Sequence, residues 1–476
     1  MSTSAQRFFG DVMSSSLQRN YLLWMLFLLL ALNVVLFSYF NALPYVKSDG
    51  WRFIDIYLIP WEEGTLGLSG FFQDHHPAPL VASLFIVNAE LFGLRMDYEA
   101  MFGVLFIVLT AFVLVREMKK GAVDRLSIIA VALISMSLVS VNIYTWSLVT
   151  IAYIPGLFGL LVVIYINRIA GRKIETRDLF ILTGWLILFL LIFGDVAKTI
   201  LVPIVAVYVF SAIIEKKVDY LKIIAVIIVA VLLNSEALDV LGVHGSYAET
   251  MIQGDLSGRI VDNFDNFLIY IGIGLMSSWV NLASFSKYFE LSAHAVEVAG
   301  LVVLAIYFVT CVFYYQSKIY EKTKMPIILI GVGLLAAVSG WVFRYNPELQ
   351  QPIAANVPRY YMLYSFSLVG VVWVWAEYIK KRTAARLFGW AFVIVLICSH
   401  TAAMFNGWST SKYIRKGIVN VSEIMLAHGN EDFSKALPKY VTGNNYPEPY
   451  KKGIKYLKDN KLNVFSEDDL LEKYRK

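Results

Sequence analysis

Charge is scarce in this sequence. Only 16% of its 476 residues are Asp, Glu, Lys or Arg, against about 25% in a soluble chain of ordinary composition. With 58% hydrophobic residues and a mean hydropathy of +0.62, that shortfall excludes a fully solvated globular surface. Cysteine is scarcer still. Cys311 and Cys398 lie far apart inside apolar runs, which excludes a disulfide framework and a cysteine zinc site. The weak ten-residue alternation of a membrane barrel is missing. No fixed-period repeat and no similarity between two halves stands out, although many secondary transporters show the latter. The basic residues are spread over several short segments, as membrane anchors are, and form no nucleic-acid patch.

What the chain has in quantity is apolar length. A spanning helix needs about 20 residues. Runs of that order occur at 20–40, 100–116, 126–146, 148–166, 179–194, 199–215, 221–241, 294–315, 326–343, 360–379 and 387–405. The first, Tyr21–Phe40, lacks a small-residue cleavage site and reads as a signal anchor. The expected fold class is therefore all-α, a polytopic transmembrane helix bundle of about 11 spans. Two further apolar stretches, 79–94 and 266–286, are expected to lie on the membrane or dip into it. If 266–286 crossed, Lys380, Lys381 and Arg382 would face outward, against the excess of Lys and Arg on cytoplasmic loops. The expected layout is a membrane domain over 1–405, with 41–99 as its first outer loop, and an extracytoplasmic helical tail over 406–476. The N-terminus is then cytoplasmic and the protein belongs to the cytoplasmic membrane. Acids collect on the outer side, and Asp195, Glu236, Asp239 and Glu297 sit at the outer ends of apolar runs, where ionisable groups are costly and mark function by default.

Two places in the first outer loop carry candidate chemistry. Asp49 follows the first span by nine residues and precedes Gly50 and Trp51. A carboxylate at the bilayer surface beside an indole is placed to meet a lipid headgroup, and as a base it must reach the hydroxyl it deprotonates. An Asp-Gly turn accounts for the same residues. Further on, Asp74, His75 and His76 precede Pro77 and Pro79, a pattern that opens a helix and gives Asp74 a capping role at its positive end. Adjacent histidines point apart on regular backbone, so they do not share one metal. Asp74, one histidine and a distant carboxylate would suffice to hold a divalent cation. Either histidine also suits proton donation or phosphate contact near neutral pH.

The stretch DHHPAPLVASLFIVNAELFGLRMDYEAMFGVLFIVLTAFVLVRE resembles the first luminal region of GT-C-type membrane glycosyltransferases that use polyprenyl-phosphate sugars. The shared order is a first span, an early acid (Asp49), an Asp-His-Pro-like turn (Asp74 to Pro77), a surface helix closing on Phe92-Gly93, and a second span ending in Arg116. The likeness covers roughly the first 125 residues. Two departures stand out: the early acid is followed by Gly50, where one branch of the family pairs Asp with Glu, and the histidine of the turn is doubled. The resemblance implies sugar transfer from a polyprenyl-phosphate donor on the outer leaflet to an envelope glycan, lipid or protein. It also implies Asp49, Asp74, His75 and His76 as catalytic candidates.

Late in the chain, RYNPELQQPIAANVPRYYMLYSF is similar to an outer loop that ends in Arg-Tyr at the mouth of a span. It nominates Arg359 and Tyr360, with Arg344, as donor-phosphate ligands, since arginine meets phosphate oxygens through a planar fork. Interfacial anchoring explains the same residue types. The tail carries YPEPYKKGIKYLKDNKLNVF, which resembles the end of a group of uncharacterised bacterial multi-pass membrane proteins, and it reads as an outer lid or acceptor-docking element and equally well as an inert cap. A glycan polymerase or ligase using a lipid-diphosphate donor, and a lipid or polysaccharide transporter, are the alternatives.

Overall fold

The computed structural model describes residues 3–72, 79–121, 123–240, 256–344, 360–381, 383–427, 441, 447–466 and 471–475. Every described element is helical. In chain order the principal helices are α1 (Thr3–Asn41), α2 (Pro79–Phe92), α3 (Met96–Lys120), α4 (Arg125–Ser135), α5 (Tyr153–Ala170), α6 (Thr176–Glu215), α7 (Asp219–Val240), α8 (Phe264–Met276) and α9 (Leu282–Tyr288). The second half adds α10 (Ala293–Gln316), α11 (Met325–Arg344), α12 (Tyr361–Lys381), α13 (Thr383–Ala427), α14 (Pro447–Asp459) and α15 (Glu472–Arg475). Among the described residues, ten helical stretches are long and apolar enough to cross a membrane. Large apolar side chains on them point outward, with Leu28, Phe180 and Phe308 more than 60% exposed, as lipid-facing positions are. The protein is an all-α, multi-pass membrane helix bundle.

The long α6 holds two of those spans. Gly194 has φ 51° and ψ −124°, and the chain reverses there. Phe189 and Ile200, on either side of the break, both face Gly159 of α5. Only glycine adopts a positive φ at little cost, so the hairpin turns on one residue. At the centre of the bundle stands α12, with 89% of its apolar window buried.

One expected span is corrected. Residues 126–146 are not a single helix: α4 stops at Ser135 after 11 residues, about 16 Å of rise. The next residues, Met136 to Val139, are fully buried but not helical. Ser137 Oγ accepts from the backbone N–H of Val139 at 3.2 Å, a side-chain bond that competes with the helical ladder. The Val139 carbonyl is taken by Asn281 Nδ2 at 2.7 Å. Irregular backbone is tolerated at membrane depth when it is enclosed by protein in this way. The segment still crosses. It leaves α3 next to Lys120, and at its far end the Thr145 carbonyl accepts from Leu43 N–H, just past the end of α1, at 2.8 Å.

The 266–286 stretch is likewise divided, into α8, a turn, and α9. Phe267 of α8 meets Trp341 near the end of α11, while Trp279 in the turn meets Tyr307 midway along α10. Asn406 Nδ2 then bonds Ser284 Oγ of α9 at 2.9 Å. The contacts at its two ends, with Trp341 and Asn406, and at its turn, with Tyr307, make it a bent segment packed within the bundle. The expected boundary at 405/406 falls inside the 45-residue α13, so the last span and the first tail helix are one rod.

Two apolar cores result. The larger fills the bundle. The smaller joins the loop after α1, the inner side of α2 and the tail, bringing Tyr45, Trp51, Tyr57 and Phe85 together with Ile418, Val441, Tyr450, Leu457 and Tyr474. The tail therefore lies on the same face as residues 41–99. On the opposite face Arg168 pairs with Glu117 at 3.2 Å, Lys324 with Glu215 at 2.8 Å and Lys322 with Glu377 at 3.4 Å. These contacts place the described helix ends they involve on two opposite faces.

Candidate functional site at the mouth of the third helix

Helix α3 opens with the sequence MDYEAMF, and its first turn carries two acids, Asp97 and Glu99. Negative charge is favoured at a helix N-terminus, which accounts locally for both. Each is then buried, Asp97 at 0% and Glu99 at 6% exposure, yet their surroundings differ.

Asp97 is saturated with cations. Arg95 Nε and Nη2 donate to its two oxygens at 3.0 Å each, a fork-to-fork pair, and Lys473 Nζ approaches at 2.6 Å. The Tyr474 hydroxyl stands 3.5 Å from Oδ2 and donates to the Ala42 carbonyl at 2.7 Å. Asn463 Nδ2 adds bonds to the Pro44 and Leu94 carbonyls at 2.8 and 2.6 Å. This is a latch: it fixes the last residues of the tail to the mouth of α3.

Glu99 meets no cation among the described residues. Its bond is with an amide, Asn88 Nδ2 of α2 donating to Oε2 at 3.1 Å. The same amide nitrogen donates to the Arg95 carbonyl at 3.1 Å, and Asn88 Oδ1 is buried without a partner. Glu99 lines a cavity together with Tyr45, Lys47, Gly50, Phe53, Phe85 and Trp146. The space is about 10 Å³, which admits one water molecule. Lys47 sits with its ammonium 4.6 Å from the centre of the Trp146 ring, and burial pushes its pKa down to about 8. A carboxylate able to accept a proton and a lysine that holds its own loosely thus share one enclosed pocket at the mouth of a span.

The residues nominated from sequence fall differently. Asp49 is half-buried in the first turn of the short helix Asp49–Phe53, and it is not among the residues lining the pocket, although its neighbour Gly50 is. Trp51 corrects an expectation. It is not interfacial: it is 0% exposed, its Nε1 donates to the Val441 carbonyl at 2.9 Å, and Tyr450 meets its ring edge-on at 4.9 Å. The tail has covered it. Asp74, His75 and His76 lie outside the described residues, as does Arg359. Helix α2 is described from Pro79 onward. Tyr360 is half-buried with its ring 6.3 Å from Tyr364, and it does not line the Glu99 pocket. Arg344 ends α11, and its side chain is outside the described residues. No three His, Cys, Asp or Glu side chains converge as metal ligands among the described residues.

Sequence reasoning missed Glu99, Asn88 and the role of Lys47. The available signal was the acid pair at the head of a long apolar run, since ionisable groups at that depth are functional candidates by default. No protein-family model, curated protein or solved structure matches the chain.

Proposed function

We propose that the protein is a glycosyltransferase of the cytoplasmic membrane, working at the face that carries the tail, which would be the outer face. The observation that carries this reading is Glu99, a buried carboxylate with no ion-pair partner among the described residues, lining an enclosed pocket whose wall also includes Lys47. The donor is a polyprenyl-phosphate sugar and the acceptor a hydroxyl of an envelope glycan, lipid or protein. The acceptor oxygen bonds to the anomeric carbon, whose bond to the phosphate oxygen breaks. The electron pair leaves with the polyprenyl phosphate, and the hydroxyl proton passes to Glu99. The Lys47 ammonium faces the charge that grows on the departing phosphate. Asp49, Asp74, His75 and His76 remain candidates for acceptor or donor contact, and Arg359, Tyr360 and Arg344 for the phosphate. The pocket as it stands is too small for a sugar, so admission requires the loop carrying Lys47 to shift under the tail. The cationic helix ends of the opposite face, Arg116, Lys120, Arg125, Arg168 and Arg172 among them, support a cytoplasmic assignment for that side.

The test is transfer from a synthetic polyprenyl-phosphate sugar by the protein in vesicles, with Glu99→Gln as the variant. Loss of transfer with retained folding supports the reading. Transfer at the wild-type rate sinks it. A second reading, a transporter, draws on one observation: the broken segment after α4 and the re-entrant turn after α8 meet through Asn281 and Val139, and discontinuous helices of this kind form transporter sites. Movement of a lipid-linked sugar between leaflets without transfer would favour it.

A further inference from the structure

On the face opposite the tail, helices α3, α5 and α6 leave a groove of about 280 Å³ between them. Its lining changes character with depth. At the rim are Arg116 and Arg168, and further in are Val113, Leu161, Ile164 and Trp185. Leu161 lies seven residues deeper along α5 than Arg168, about 10 Å by helix rise. The Trp185 ring, packed 6.4 Å from Phe158, borders its deep end. The groove is thus cationic where the helices leave the membrane and apolar where they enter it.

The charge at the rim is not balanced by the protein. Glu117 is the one acid lining the groove, and it is shared by Lys120 and Arg168. Arg116 has no hydrogen-bond or ion-pair partner among the described residues, and it is exposed. Among the lining residues two cations, Arg116 and Arg168, stand against one carboxylate, a local excess of one positive charge.

We infer that this groove is a binding site for an anionic phospholipid of that leaflet. Its phosphate would sit between Arg116 and Arg168, with an acyl chain against Val113, Leu161 and Trp185. Arginine suits a phosphate through its planar fork, and basic pockets between helix ends are where anionic headgroups are held. The inference is independent of the proposed sugar transfer, because it rests on the other face of the molecule and on none of the pocket residues.

The test uses the full chain reconstituted in vesicles of equal phosphatidylglycerol and phosphatidylcholine, then released into detergent, with retained lipid counted by native mass spectrometry. The wild type should retain phosphatidylglycerol over phosphatidylcholine by about tenfold, and the Arg116→Gln, Arg168→Gln double variant should fall to parity. The single Arg116→Gln leaves the Arg168–Glu117 pair intact and should lose about half of the logarithmic preference. A charge-matched control, Lys173→Gln with Lys222→Gln, removes two cations from the same face outside the groove and should keep the preference. The site is refuted if the wild type shows no preference, or if the control loses as much as the groove variant. It is also refuted if inorganic phosphate strips the lipid, or if equimolar polyprenyl phosphate displaces it.

Discussion

Asp97 and Glu99 stand two residues apart on one helical turn, both out of water, and the protein treats them in opposite ways. Asp97 is met by a guanidinium, an ammonium and a phenol. Glu99 is met by one amide and an enclosed space. A buried ion that is fully compensated holds parts together, and removing a partner exposes the cost of the other. A buried carboxylate left without a cation costs the fold free energy and holds nothing together. Within about 3 Å of helix rise, one acid ties down the tail and the other lines a pocket.

The sharpest way to break the comparison is Glu99→Gln. The amide keeps an oxygen for Asn88 and loses the base, so sugar transfer should fall by about 10²- to 10⁴-fold while the melting temperature in detergent holds or rises, because an unpaired buried charge is removed. Lipid-linked sugar should accumulate in cells carrying the variant. Asp97→Ala should show the reverse. Arg95 and Lys473, whose side chains are 14% and 24% exposed, would lose their shared counter-ion, at about 1.5–3 kcal/mol of stability, read by thermal melting and by protease access to the tail. If Asp97→Ala melts like the wild type, the latch is not what holds the tail.

Asn463→Ala probes the same latch without touching charge. It leaves the Pro44 and Leu94 carbonyls without their side-chain donor, an expected loss of about 1–3 kcal/mol. Lys47→Met addresses the pocket through pH. Burial lowers the folded-state pKa of Lys47 to about 8 from 10.5. Below pH 8 both states carry the proton and the folded state bears the full cost of burying it. Between 8 and 10.5 the unfolded state binds more protons, so wild-type stability rises with pH. The methionine variant should be the more stable protein at pH 7, with the gap narrowing through that window; a gap that stays constant to pH 11 would contradict the buried ammonium. The smallest effect belongs to Lys452→Ala, whose partner Asp55 is reached at 3.2 Å by a side chain 62% exposed. It should cost under about 1 kcal/mol and marks the lower bound of what tail contacts contribute.

The sequence determined the membrane class and the places of ten of the spans, because a 20-residue apolar run is a local property that needs no partner to be read. Tertiary structure decided the rest. Whether 126–146 stays helical depends on Ser137 bonding its own backbone and on Asn281 arriving from another part of the chain to take the Val139 carbonyl. Whether Trp51 meets lipid or protein depends on Val441, 390 residues away. Of the two acids in MDYEAMF, the one that became a strut was chosen by Lys473, and the one that became a pocket wall by Asn88 and Lys47. Composition and periodicity record how apolar a segment is. Which of two neighbouring carboxylates keeps a counter-ion is set by distances across the fold, and only the folded chain supplies those.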